Sequence, residues 1–151
     1  MKNIIKDLPT LISMWANDSI IDGNNLAEES IKSANKLSKY MEILVHNKFL
    51  AAQLRQKYIE MKQWKIQYYK GELNNPEDMA TYNIKEPFRK SLLNVEIPSY
   101  IEADKDLNDL LMRKMIHDEI IEYCNLIIKE LQGRSYAIGN AIKWKIFTGG
   151  G

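Results

Sequence analysis

Among its 151 residues the chain has a single cysteine, Cys124, so no disulfide can form within it, which suits a reducing compartment. Four prolines and seven glycines are too few to cut the sequence into many short elements. No run of about 18 uninterrupted apolar residues is present to span a bilayer. Lys2 and Lys6 are followed by Pro9 and the polar Asn17-Asp18, where a secretory signal would have a long apolar core. A soluble intracellular protein is the expectation.

Catalytic signatures are equally scarce. There is no glycine-rich phosphate loop, no HExxH and no CxxC. The two histidines are His46 and His117, and although Asp118, Glu119 and Glu122 follow the second, the Glu-x-x-His repeats of di-iron bundles are missing. Neither an enzyme nor a metal or other cofactor is expected. Both histidines read as surface or seam residues of helices, and Cys124, on an apolar face, reads as core.

What is present is long helical periodicity and one local excess of positive charge. The chain as a whole carries only +1, yet Ala51 to Lys70 holds Arg55, Lys57, Lys62, Lys65 and Lys70 against the single acid Glu60. Steps of three and four residues place Lys48, Ala51, Arg55, Tyr58, Lys62, Lys65 and Tyr69 on one helix face. Val45, Phe49, Ala52, Gln56, Ile59, Gln63 and Ile66 form a second, largely apolar row that predicts the packing seam. Cations neutralise phosphates and rings stack on unpaired bases, as binding a single strand without reading its sequence requires. A solvated face whose tyrosines pack at a subunit contact fits the same spacing.

In chain order, residues 3–16 predict a short docking helix with Ile4, Leu8, Leu11, Ile12 and Trp15 on one side and Pro9 at a kink or at its start. Asp22-Gly23 signals a turn, and Asn25 with Glu28 resembles a capping box. No glycine or proline interrupts residues 26–70, so one helix of about 45 residues is possible, with Ala34, Leu37, Met41 and Leu44 beginning its seam and Gly71 capping its end. Residues 72–86 are acidic, with a net charge of about −3, and read as a solvated connector. Leu93, Val95 and Ile97 alternate as in a short extended piece or edge strand. A third helical pattern begins near Glu102-Ala103-Asp104 and carries Leu107, Leu111, Ile116, Ile120, Ile121, Cys124, Ile127, Ile128 and Leu131. Gly133 is expected to interrupt it and Ser135 to cap a further short helix with Ile138, Ala141, Ile142 and Trp144. The tail, Thr148 to Gly151, is expected to be disordered.

The run Trp64 to Gly71 (W-K-I-Q-Y-Y-K-G), Ala103 to Leu107 (A-D-K-D-L), Tyr123-Cys124 and Gly133 to Ile138 (G-R-S-Y-A-I) follow one another as they do in the UvsY family, the recombination mediators of tailed myoviruses, which this sequence resembles. Upstream, Ile21-Asp22 through Leu26 and Ser38-Lys39-Tyr40 keep matching separations, while the connector between Gly71 and Ala103 looks longer here. The resemblance implies an intracellular phage protein, acting in the host cytoplasm, that binds single-stranded DNA and forms a hexameric or heptameric ring. It also implies a role in loading a RecA-like recombinase onto strands covered by the phage single-stranded-DNA-binding protein. In the family a Lys-x-Arg pair just before Tyr-Tyr is associated with DNA binding; here the arginine position is Lys65 and the lysine position is Gln63, with Lys62 beside it. The C-terminal helices are tied to oligomerisation in the family, which points to Cys124, Ile127, Ile128, Leu131, Ile138, Ile142 and Trp144.

The expected fold is therefore all-α, an elongated long-helix hairpin or bundle whose C-terminal helices form a ring-like homo-oligomer. Residues 1–71 hold the N-terminal helix and the basic helix, 72–101 the acidic connector, and 102–151 the oligomerisation helices. The nucleic-acid contacts are expected at Lys48, Arg55, Tyr58, Lys62, Trp64, Lys65, Tyr68, Tyr69 and Lys70, with Trp64, Tyr68 and Tyr69 open to either base stacking or subunit packing. The alternative is a structural helical adaptor that binds no nucleic acid.

Overall fold

In the computed structural model, residue 5 and residues 7–149 are described, and every regular element among them is an α-helix. Helix α1 (Leu8–Asp18) starts where a carboxylate precedes a proline. The Asp7 side chain accepts the Thr10 N–H at 2.8 Å, and Pro9 sits in the first turn, where its missing N–H costs nothing. Pro9 thus opens the helix without kinking it. Of the expected apolar side, Leu8, Leu11 and Trp15 pack inward; Ile12 is exposed, and Ile4 lies outside the described residues.

Helix α2 (Leu26–Tyr69) is the uninterrupted 44-residue helix that its lack of glycine and proline predicts. Ahead of it the Asp22-Gly23 turn closes through the Asn24 N–H on the Asp22 carboxylate (2.9 Å), and the Asn25 side chain bonds the Glu28 carboxylate. Gly71 ends it at φ +77°: its N–H reaches the Tyr68 carbonyl and the Glu72 N–H reaches the Gln67 carbonyl, both at 3.0 Å, a Schellman closure.

The connector contains two short helices, α3 (Pro76–Thr81) and α4 (Ile97–Glu102), and no strand occurs among the described residues. The extended reading of 93–97 is thereby corrected. Glu96 accepts the Leu93 N–H at 2.7 Å and folds a turn, Pro98 enters the first turn of α4, and Ile97 and Ile101 are buried at the i, i+4 spacing of a helix. Helix α5 (Lys105–Phe147) also corrects the sequence reading: it runs through Gly133 and Ser135 without a break. A mid-helix glycine costs only about 1 kcal/mol, and Leu131, Arg134 and Ile138 stay buried on both sides of it. Thr148 and Gly149 form the closing turn; residues 150 and 151 lie outside the described residues.

The chain divides into two compact units, and the unit boundaries fall inside α2 and α5. The expected divisions at 71/72 and 101/102 lie near helix ends. The first unit, Met1–Leu50 with Ile116–Gly151, centres on Leu11, Tyr40, Ile43, Ile120, Cys124, Ile127 and Leu131. Trp15 meets Tyr40 edge-on at 5.6 Å. The Asp18 carboxylate accepts from Lys39 and from the Tyr40 hydroxyl, each at 2.7 Å, and burial together with that bond holds the Tyr40 hydroxyl well above its ordinary pKa. Arg134 lies over the Trp15 ring at 5.1 Å and donates to the Ser19 carbonyl at 2.6 Å, neutralising the carbonyl end of α1. Asn47, fully buried, donates to the Ile43 carbonyl and meets His117 Nδ1 at 2.8 Å.

The second unit, Ala51–Met115, packs Ile97, Ile101 and Leu107 against Tyr58, Met61, Ile66 and Tyr69. Along α2 the buried row is thus Glu29, Ser33, Tyr40, Ile43, Asn47, Ala51, Leu54 and Lys65, with Tyr58 and Met61 half-buried in line with it. The predicted seam lies elsewhere: Val45 and Phe49 are 64% and 60% exposed, and only Ile66 of that row packs inward.

Candidate nucleic-acid interface

Within the second unit, α2 is buried along one face, which leaves Arg55, Lys62 and Lys70 exposed. Arg55 and Lys62 are two turns apart on one flank, about 10 Å along the axis, and Lys70 lies about 12 Å further on. Among the described residues none of the three side chains is in an ion pair or a hydrogen bond; Lys62 lies 6.0 Å from the Tyr58 ring centre. Lys57 is also exposed, roughly 160° around the helix from Arg55. Lys48 is exposed and belongs to the first unit.

Lys65 is different, being only 8% exposed. Its ammonium lies 3.0 Å from the Asp104 carboxylate and 2.8 Å from that of Asp106. Burial works against its charge, but the hydrogen bonds to Asp106 and Asp104 and their negative charge outweigh that, so its pKa is raised. Asp104 is also the N-terminal cap of α5, accepting the Leu107 N–H at 3.0 Å, and it takes the Tyr69 hydroxyl at 2.6 Å. Its own burial is offset by these donors, and its pKa is lowered. The cluster Lys65–Asp104–Tyr69 is therefore an internal, charge-matched joint, in which the Lys65 ammonium is held by two carboxylates.

The aromatic residues are likewise committed. Tyr69 packs against Tyr68, Phe88 and Tyr100 at centroid distances of 5.3, 5.1 and 5.6 Å. The Tyr68 hydroxyl donates to the Glu86 carbonyl at 3.2 Å. Trp64 is stacked on Tyr82 of the connector, with centroids 5.1 Å apart and planes 17° from parallel. Of the nine expected contacts, Arg55, Lys62 and Lys70 are open cations of the second unit, Tyr58 is half-buried beside Lys62, and Lys65 and Tyr69 are turned inward.

The residues expected at a subunit contact divide in the same way. Cys124, Ile127, Leu131 and Ile138 are buried within the chain, Ile128 and Ile142 partly so, and burial pushes the Cys124 thiol up to about 11. Only Trp144, 65% exposed and stacked on Phe147, is open. Among the described residues no group of three or more His, Cys, Asp or Glu could hold a metal ion, and no helix is long and apolar enough to cross a membrane.

A family model described as "Recombination, repair and ssDNA binding protein UvsY" matches residues 14–151. The chain belongs to the UvsY family. Its fold is shared by crystal structures of the bacteriophage T4 recombination mediator protein UvsY. One, lattice type II, has 18% sequence identity and a TM-score of 0.80, covering 94% of this chain and 97% of that one. Another, lattice type IV, has 16% identity and a TM-score of 0.78, covering 92% and 97%. No curated protein sequence matches.

Several residues that carry the likeness to the UvsY family prove to be joints of the fold. Asp104 and Asp106, in the A-D-K-D-L run, hold Lys65; Arg134, in G-R-S-Y-A-I, holds the end of α1. Sequence reasoning missed these roles because each joint links residues far apart in the chain. It also missed Tyr82, whose only local signal is an aromatic residue at the end of an acidic stretch.

Proposed function

We propose that this chain is a recombination mediator, which binds single-stranded DNA through the open cations of α2 and helps a RecA-like recombinase load onto strands covered by single-stranded-DNA-binding protein. The observation that carries the reading is the flank Arg55–Lys62 with Lys70, exposed and unpaired among the described residues, in a member of a family described by recombination, repair and ssDNA binding. No reacting group is needed, since the work is an exchange of binding free energies.

Counting Lys57 with these three gives about four phosphates per chain, hence a fall of roughly 2.8 in log K per tenfold rise in salt at about 0.7 per phosphate. Such affinity is weak for one copy. Assembly into a hexamer or heptamer strengthens it, because a strand held by one subunit lies at high effective concentration for the next. Uncovered apolar side chains on the first unit support self-association: Met41, Val45 and Phe49 line one shallow hollow beside His46, and Trp144 stacks on Phe147.

Titration of a fluorescent oligonucleotide over a range of salt tests this reading. The parent should show the steep slope, and a Lys62→Ala/Lys70→Ala double variant should lose about 1.4 of it. A parent with no salt-dependent affinity would instead be a helical adaptor.

A further inference from the structure

We infer that Tyr82, held face to face on Trp64, is a stacking platform for a base of the bound strand. The inference rests on the proposed binding of single-stranded DNA and names a contact on the opposite side of α2 from Arg55 and Lys62. Three observations converge on it.

The first is the ring pair itself. Tyr82 lies at the end of α3, where its N–H bonds the Asp78 carbonyl, and the next residue, Asn83, takes φ +54° to turn the chain back. That turn is closed by the Ile84 N–H on the Met79 carbonyl at 2.8 Å, so the ring stands on a fixed corner. Trp64 backs one of its faces at 5.1 Å. The residue is still 36% exposed, so part of the ring remains open to solvent.

The second is the space beside it. A hollow of about 510 Å³ opens along α2 next to the pair, lined among others by Lys57, Glu60, Gln63 and Gln67. A glutamine amide offers both donors and an acceptor, so Gln63 and Gln67 can meet the edge of any base. Glu60 is engaged by the Gln56 amide at 3.0 Å, which leaves its second oxygen for an exocyclic amino group. Lys57 supplies the one cation of this hollow, fitted to the phosphate attached to the stacked nucleotide.

The third is elimination within the unit. The other rings that the sequence offers for stacking are spent: Tyr58 packs against the Ile97, Ile101 and Leu107 core, Tyr69 and Tyr68 pack on Phe88, and Trp64 has Tyr82 over it. A base approaching Trp64 therefore meets Tyr82. Because the platform is already assembled, stacking requires no ordering of the ring at the moment of binding. Every base has a π face, so the contact is tolerant of sequence.

The test compares an ordinary oligonucleotide with an abasic deoxyribose-phosphate strand of equal length at fixed salt. Both carry the same phosphates, so charge cancels in the ratio of their affinities and the ratio isolates base contact. The parent should favour the ordinary strand by about 5- to 150-fold for each base stacked. Tyr82→Phe should keep that ratio, while Tyr82→Ala and Tyr82→Leu should bring it towards one with an unchanged salt slope; the leucine variant keeps apolar cover on Trp64 without a π face. A parent that binds both strands equally, or a Tyr82→Ala variant that still discriminates, overturns the platform and leaves the DNA-binding reading standing. A parent that binds neither strand overturns the reading beneath it.

Discussion

Replacing Lys65 by alanine separates two roles that the sequence alone leaves merged. If the side chain is a joint of the second unit, its loss strands the Asp104 carboxylate, which is 3% exposed. Removing one partner of a buried ion pair costs about 3–5 kcal/mol. Asp104 would keep the Tyr69 hydroxyl at 2.6 Å and the Leu107 N–H at 3.0 Å, which lowers the cost to about 2–3 kcal/mol. The contact with Asp106 adds little, because that carboxylate is 63% exposed and screened by water.

For a unit of this size the loss lowers the thermal midpoint by on the order of 10–20 °C. Below that midpoint the folded variant should bind oligonucleotide with the parent's salt slope. Lys62→Ala should behave in the opposite way, since its side chain is exposed and makes no ion pair among the described residues. Its midpoint should stay within about 0.5 kcal/mol of the parent's stability, and its slope should drop by about 0.7. Circular dichroism melts paired with salt titrations measure both quantities on the same samples. A Lys65→Ala variant that melts with the parent but binds with a shallower slope would refute the joint and return Lys65 to the phosphates.

One carboxylate joint in each unit sets a response to acid. Asp104 and Asp18 titrate below the ordinary carboxylate value of 3.8, so each stabilises the fold above that value and loses its contribution as pH falls through the lowered one. Melting midpoints should hold steady from neutrality to about pH 5 and fall steeply below about pH 4, and Asp104→Asn should flatten that fall while capping α5 still; a parent curve already falling at pH 6 would assign the transition to other groups. Gly133→Ala tests the continuity of α5. A Cβ there meets nothing within 4 Å and the backbone is helical, so the variant should gain about 0.5–1 kcal/mol in denaturant unfolding; a loss would mean that the glycine marks a break.

How much of this was legible in the sequence depends on whether the cause is local. Helix extents were, because caps and breakers act over a few residues: Asp7 with Pro9 opens α1, Asn25 with Glu28 opens α2, and Gly71 closes it. Gly133 misled for a related reason, as a residue that often ends helices is tolerated where the buried row continues past it. The face of α2 was not legible. Hydropathy selects Val45 and Phe49 for the interior, whereas the helix buries Asn47 and Lys65. Each is made tolerable by a partner dozens of positions away, His117 for Asn47 and Asp104 for Lys65, and no window of local periodicity contains both members.

The displacement of the buried face has a consequence for binding. A cation already held by a carboxylate must break that pair before it can meet a phosphate, and for a buried pair the cost exceeds what one phosphate contact returns. Lys65, paired with the buried Asp104, is in that position. Arg55, Lys62 and Lys70 have no such bond among the described residues, so neutralising a phosphate releases the strand's counterions at no cost in lost ion pairs. By turning Lys65 inward and leaving its neighbours unpaired, α2 would, under the proposed function, keep stability and binding on different lysines. On that proposal, substitutions on the open flank should tune affinity and salt response while the fold stays intact, whereas a change at Lys65 should alter binding only through the folding of the unit that carries it.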